Sequence, residues 1–297
     1  MEKIKIFKFG GGVLVNPEAV KKAVEIIKKQ KPKFIVISAF GKSTNALEKI
    51  YLGLKEENLE KVIKAKEEYL SINAPFFQDG LSNVFLKEQK IFIENMTVKI
   101  IFSKEDIFHS DTLLQDAVLS LGEKAAVFAF WDFLRKTMST VQILNDVVKV
   151  IPFRGIAPVD KKQTQSGIKK IMKHSKGVTL IVPGFIAVDQ SGFDVTLGRE
   201  GSDYTAGIIA NSLRSIRQSV GSVVLWKNVP GIMRDFGTKE ESLITKISYN
   251  EVKNALKKGG FASGLIHEKT IQAVEEFNIP LFIKNFDAPE ENGTSIC

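Results

Sequence analysis

Residues 196–207 read Thr-Leu-Gly-Arg-Glu-Gly-Ser-Asp-Tyr-Thr-Ala-Gly. Arg199, a glycine turn, a serine suited to cap a helix and the acid Asp203 stand close together, and the apolar run Ala206 to Leu213 follows at once. A cation beside a helix N-terminus holds anions, because the dipole and the unpaired amides both favour negative charge. The ligand class implied is phosphate or carboxylate. Four further segments could join such a site. Lys8-Phe9-Gly10-Gly11-Gly12 places a cation before glycines that let backbone amides approach a phosphate. It has neither the Walker A lysine nor the dinucleotide-binding spacing. Ser38 to Asn45 ends a second apolar run in small polar residues and includes Thr44. In Leu121-Gly122-Glu123-Lys124 the glycine is expected to break a helix and leave Glu123 free to receive an amine. Lys227-Asn228 precedes a Pro-Gly turn. Each segment has a plain structural alternative: a turn after a strand, a helix cap by Ser43 or Thr44, an exposed glutamate.

These segments fall at the ends of recognisable elements. Residues 3–9 alternate polar and apolar and predict a strand, broken by Gly10. Asn16 and Pro17 predict a capped helix through about Lys29, and Phe34–Ala39 a second strand. Strand, glycine turn, helix, strand is the pattern of a parallel α/β sheet. Residues 45–137 read as a helical insertion with breaks near Ala74-Pro75 and Gly122. Strands are expected at 141–144, 178–182, 220–226, 280–284 and 294–296, and helices at 202–214, 248–258 and 264–277, the second opened by the capping box Ser248-x-x-Glu251. In an open parallel sheet, ligands sit at the carboxyl ends of the strands, so the loops at 8–12 and 38–45 would share a crevice.

Composition narrows the class. With 297 residues and 44% hydrophobic content the chain can bury a sizeable core. The net charge is +8, but the lysines are spread along helical stretches without interleaved aromatics, so no nucleic-acid partner is expected. The single cysteine is residue 297, and His109, His174 and His267 show no ligand spacing, so no metal site is expected. No run nears the roughly 20 apolar residues that span a membrane. A cytoplasmic protein without membrane association is the expectation.

Taken together and in order, the segments resemble the catalytic unit of the aspartate kinases, within the amino acid kinase family. Lys8-Phe9-Gly10-Gly11, Ser38-Ala39 through Thr44-Asn45, Gly122-Glu123, Thr196 through Ala206, and Trp226 with Val229-Pro230-Gly231-Ile232 are similar to that family's loops, and the likeness spans the chain. It implies a three-layer αβα sandwich around a mainly parallel sheet in two lobes. Residues 1–190 would bind the amino acid and 191–297 the nucleotide. The implied reaction transfers the γ-phosphoryl of ATP to the β-carboxylate of L-aspartate, with Mg²⁺ as second cofactor, as the first step of lysine, threonine and methionine biosynthesis. Lys8 and Asp203 would be catalytic, Lys8 bridging phosphates and Asp203 orienting lysines. Thr44, Glu123 and Arg199 would hold the substrate, Glu123 at its ammonium and Arg199 at its α-carboxylate. Gly10, Gly11, Lys227, Asn228, Met233, Gly264 and Leu265 would bind nucleotide. A homodimer is implied. So is the absence of feedback through regulatory ACT domains in cis, which the family's longer members carry.

Several positions depart from the family pattern. Its hydroxyls after the first glycines are here Gly12-Val13, its second glycine after the arginine is Glu200, its Thr-Asp pair is Lys227-Asn228, its tyrosine is Met233, and a lysine is replaced by Gly264. Two other readings stay open: an amino-acid-binding homologue without catalysis, and a kinase for another carboxylate or carbamate.

Overall fold

The computed structural model describes residues 3–77, 80–104, 110–151, 157–234, 237–238, 240–258 and 265–297. The chain opens with β1 (Ile4–Phe9), α1 (Pro17–Gln30) and β2 (Phe34–Ile37). The insertion follows as α2 (Ser43–Lys55), α3 (Leu59–Asn73), α4 (Gly80–Thr97) and α5 (Asp111–Arg135). Next come β3 (Val141–Ile143), α6 (Lys161–His174), β4 (Thr179–Pro183), β5 (Ile186–Val188), β6 (Asp194–Thr196) and α7 (Gly201–Ser215). The remainder is β7 (Val220–Lys227), β8 (Ile232–Arg234), β9 (Ser242–Ile244), β10 (Lys246–Ile247), α8 (Tyr249–Lys257), α9 (Glu268–Glu275), β11 (Leu281–Asn285) and β12 (Thr294–Ile296).

Eight strands form one sheet in the order β10-β12-β11-β7-β1-β2-β4-β3. From β11 to β3 every neighbouring pair is parallel, and β12 runs antiparallel to β11. A parallel sheet needs both faces covered, and two cores do this. On one face Ile6, Val36, Leu180, Val223, Leu225 and Ile283 pack with α6, α7, α8 and α9. On the other, Phe7, Phe9, Ile35, Ile37, Val224 and Trp226 pack with α1 and α5. Trp226 stacks on Phe9 with centroids 6.1 Å apart and meets Phe7 edge-on at 5.7 Å, contacts each contributing about 0.5–1.5 kcal/mol. A third core joins α2, α3, α4 and α5 within the insertion.

The structure corrects several local expectations. Gly122 does not break a helix: α5 runs unbroken from Asp111 to Arg135. A β-carbon at Gly122 would lie 2.9 Å from Ala39 Cβ and 3.1 Å from Leu47 Cδ1, so glycine there lets α5 approach the loop after β2. Ser202 does not cap α7, which is preceded by Glu200 in the left-handed conformation (φ 54°, ψ 27°) with no side-chain capping bond. Neither Ser43 nor Thr44 caps α2, whose cap position is Lys42, and Ser43 Oγ instead accepts from Asn73 Nδ2 at 2.9 Å. The described part of the last helix, α9, begins at Glu268, and His267 caps it by accepting from the Lys269 N–H at 3.2 Å. Gly264 and His109 lie outside the described residues. Asn16 caps α1 by accepting from the Ala19 N–H, and Ser248 and Glu251 form the capping box of α8.

Candidate functional site

Strand alternation sets the first two charges of the site. Side chains of a strand alternate between faces, so Lys8 shares the face of Ile6, and Lys227 that of Leu225. β1 and β7 are parallel neighbours, with Lys8 opposite Leu225 and Phe9 opposite Trp226. Phe9 and Trp226 point into the aromatic core and send Lys8 and Lys227 to the opposite face, where the first turn of α7 carries Asp203. Lys8 Nζ lies 2.7 Å from Asp203 Oδ1 and Lys227 Nζ 2.7 Å from Oδ2. The aspartate side chain is fully buried between them.

Burial works to raise the Asp203 pKa, but Lys8 and Lys227 outweigh it and hold the carboxyl below its ordinary value. Burial likewise works to lower that of Lys227, but Asp203 and Glu200 outweigh it and raise it. Lys8 is the deeper lysine, and there burial wins: its pKa is lowered despite Asp203, with the Lys227 charge adding to the fall. Removing one member of such a buried set costs about 3–5 kcal/mol, because the others are left uncompensated.

Two clefts meet in front of this triad. The larger, about 750 Å³, is lined by Lys8, Thr44, Asp116, Glu123, Thr196 and Arg199 among others. The second, about 530 Å³, is lined by Gly10, Gly11, Lys227, Asn228, Met233 and Leu265, with Trp226 and Val229. Lys8, Gly11, Gly12 and Glu200 line both. The sequence-derived substrate residues therefore face one cleft. The described nucleotide candidates face the other, and Lys8 stands on the shared wall. Asp203 lies behind it rather than on the surface. Gly11 permits this wall, since a β-carbon there would come within 2.5 Å of the Ala39 carbonyl oxygen.

Glu123 reaches the larger cleft from the middle of α5. Its Oε1 accepts from the Ala39 N–H at 3.2 Å, while Oε2 is buried with no hydrogen-bond partner among the described residues. Burial pushes its carboxyl up to about 8. A buried acceptor left unpaired costs about 1–3 kcal/mol, so the site favours a ligand that brings a donor, above all a cationic one. Arg199 forms no ion pair among the described residues and lines the same cleft. Together they offer one ligand a buried carboxyl with an open oxygen and a guanidinium without an ion pair among the described residues, the complement of a zwitterion once Glu123 ionises.

Sequence reasoning missed a polar seam that joins α5 to β6. Asp116 Oδ1 accepts from the Thr196 N–H at 3.1 Å and from Thr196 Oγ1 at 2.6 Å. Ser120 Oγ donates to Asp194 Oδ2 at 3.0 Å, and Lys124 pairs with the same oxygen. Burial raises the Asp116 pKa against its hydrogen bonds from Thr196. β6 leads directly to Arg199, so the seam ties the helix of Glu123 to the segment of Arg199. The available signal was four polar residues, Asp116, Ser120, Glu123 and Lys124, at helical spacing inside an otherwise apolar stretch.

The second cleft suits a nucleotide. It offers the glycine backbone and two lysines for phosphates, and Val229, Met233 and Leu265 for an apolar ring. Among the described residues no three His, Cys, Asp or Glu side chains are grouped to hold a metal ion. Mg²⁺ characteristically keeps several waters and binds through substrate phosphates, so such an ion needs no dedicated all-protein cage. No helix among the described residues is long and apolar enough to cross a membrane.

A model described as the amino acid kinase family matches residues 3–285. The chain is 28% identical over 315 residues to the bifunctional aspartokinase/homoserine dehydrogenase of Buchnera aphidicola, covering 99% of this chain and 36% of that protein. It is 26% identical over 303 residues to the lysine-sensitive aspartokinase 3 of Escherichia coli, covering 100% of this chain and 65% of the relative. The chain thus spans about a third and about two thirds of these relatives. Among solved structures, E. coli aspartokinase III in complex with aspartate and ADP superimposes with a TM-score of 0.85 at 24% identity, over 99% of this chain and 64% of that one. That likeness establishes the fold.

Proposed function

The chain belongs to the amino acid kinase family, and on that premise we propose that it transfers the γ-phosphoryl group of ATP to the β-carboxylate of L-aspartate, forming 4-phospho-L-aspartate and ADP. The observation that carries this reading is the shared wall. A zwitterion-shaped cleft and a phosphate-suited cleft meet at Lys8, and a buried aspartate holds Lys8 and Lys227 behind the junction. The aspartate and ADP named with the E. coli structure accord with such a pair of ligands.

A carboxylate nucleophile is ionised at neutral pH and needs no catalytic base. What opposes reaction is repulsion between it and the phosphates, and cations with oriented amides relieve this. ATP with its Mg²⁺ supplies the phosphoryl group and part of the charge neutralisation. Within the chain, Glu123 receives the substrate ammonium, Arg199 its α-carboxylate, and Thr44 adds a hydrogen bond. The β-carboxylate is thereby directed toward Lys8. Lys8 and Lys227 steady the charge of the transferring group, and Asp203 fixes the spacing between them. Gly10 and Gly11 present backbone to the phosphates, with Asn228, Met233 and Leu265 beside the nucleotide. In this reading residues 1–190 form the amino-acid lobe and 191–297 the nucleotide lobe, and Arg199 reaches back across the boundary. The homodimer belongs to the same proposal, with the exposed apolar residues Ile91, Phe92 and Val98 of the insertion as a surface to cover.

A hydroxylamine-trapping assay with MgATP tests the activity. Acyl phosphate is expected with L-aspartate and not with glutamate, N-acetylglutamate or carbamate. Folded protein that forms none with aspartate and gives no calorimetric heat with MgATP would overturn the proposal.

A further inference from the structure

Glu200 stands on the wall common to both clefts, and its Oε2 lies 3.7 Å from Lys227 Nζ. Its left-handed backbone suits glycine better than a residue with a β-carbon, and its side chain gives α7 no capping bond. Neither local conformation nor capping accounts for a glutamate here. Its one ion-pair partner among the described residues is Lys227, which Asp203 already holds at 2.7 Å, and Lys8 attracts it more weakly. The side chain is 27% exposed, so the carboxylate can turn to solvent without being buried elsewhere.

We infer that Glu200 is an internal counter-anion that competes with nucleotide phosphates for Lys227 and so limits nucleotide affinity. The inference rests on the nucleotide reading of the second cleft and deepens it. In the free protein the Glu200 carboxylate occupies the side of Lys227 that faces the clefts. An incoming polyphosphate must displace it and then meets its negative charge at close range. The penalty grows with ligand charge, so Glu200 disfavours metal-free ATP more than MgATP. It thereby acts as a specificity-determining residue for the chelated nucleotide. Two phosphate-directed lysines and the positive end of α7 tolerate this carboxylate because it neutralises them when no nucleotide is bound.

The test is calorimetric titration of MgATP and of metal-free ATP into wild type, Glu200→Gln and Glu200→Gly, with L-aspartate titrated into the same preparations. Glu200→Gln removes the charge and keeps the backbone demand, whereas Glu200→Gly removes both. Both variants are expected to bind MgATP about two- to fivefold tighter, the scale of a partly exposed ion pair, and to gain more for metal-free ATP. Thermal melting separates the causes: Glu200→Gly alone should raise the Tm through backbone relief. Equal affinities in all three proteins would overturn the inference while leaving the nucleotide site standing. Weaker MgATP binding in Glu200→Gln would overturn it by making Glu200 a ligand of the nucleotide's metal. If all three bind aspartate but neither form of ATP, the nucleotide reading fails and the inference with it.

Discussion

Glu123 offers the sharpest test of the proposed amino-acid site. Its carboxyl is fully buried, holds one backbone N–H and leaves Oε2 without a partner among the described residues, and burial pushes its pKa from 4.5 up to about 8. At pH 7 the free protein therefore carries the proton on about nine molecules in ten. A substrate ammonium against Oε2 requires the ionised form, so each binding event should release about 0.9 proton at pH 7. Calorimetry of aspartate binding in buffers of different ionisation enthalpy reads this number directly as the slope. Affinity should rise about tenfold per pH unit from 6 toward 8 and level off above. Stability runs the other way in the unliganded protein. A carboxyl whose folded value is raised favours folding fully below the unfolded value of 4.5, and that contribution is lost as pH climbs through about 8. The whole span amounts to about 5 kcal/mol. Glu123→Gln should abolish the proton release, flatten the pH dependence of stability, and weaken aspartate by about 2–5 kcal/mol. A buffer-independent enthalpy together with flat affinity between pH 6 and 8 would refute the reasoning, since Glu123 would then be ionised before the ligand arrives.

Lys8→Met should lower kcat by about 10²- to 10³-fold with little change in aspartate KM; steady-state kinetics showing wild-type turnover would remove Lys8 from the junction. Arg199→Ala should raise the aspartate KM tenfold or more and leave the ATP KM within twofold, given that hydrogen bonds to charged groups contribute about 1.5–3 kcal/mol. Gly122→Ala gains about 1 kcal/mol of helix propensity but forces a methyl to 2.9 Å from Ala39 Cβ, an overpacking cost of about 1–3 kcal/mol. Its Tm should fall and aspartate binding weaken as the Ala39 amide moves from Glu123, so an unchanged melt would count against the close approach. Asp203→Ala should cost about 3–5 kcal/mol in denaturant unfolding, because two lysines lose their shared counter-charge.

Much of the architecture was legible because long buried strands and capped helices write strong local patterns. β1 shows as an alternation of polar and apolar residues, β2, β4 and β7 show as apolar runs, and Asn16 and Ser248 mark helix starts. β5, β6, β8, β9 and β10 are two or three residues long, too short to display alternation. Within the site, Lys8 and Arg199 were visible because glycines beside them end elements. Glu123 was singled out for a reason the structure overturns: Gly122 marks a helix contact, not a helix break. No local pattern distinguishes those two uses, because the neighbour that demands the glycine, Ala39, lies 83 residues away. The seam of Asp116 with Thr196 stayed hidden for a related reason. α5 buries residues on all sides, so it lacks the polar face against which an inward acid would stand out. Asp203 was legible as an acid in a first helical turn. That it sits between two lysines follows only from the neighbouring β1 and β7.

That strand pairing has a kinetic side. β1 lies inside the sheet, yet one of its two neighbours, β7, pairs Ile4 with Val220, more than two hundred residues later in the chain. During synthesis the first strand must wait, one edge unsatisfied, until most of the polypeptide has emerged, and unpaired strand edges invite aggregation. Lys8 meets Lys227 and Asp203 only when that gap closes. Acquisition of activity on refolding should therefore coincide with closure of the sheet, a slow and non-local event. The same closure welds the first strand to the late-made half, so no partly folded chain can display a working junction.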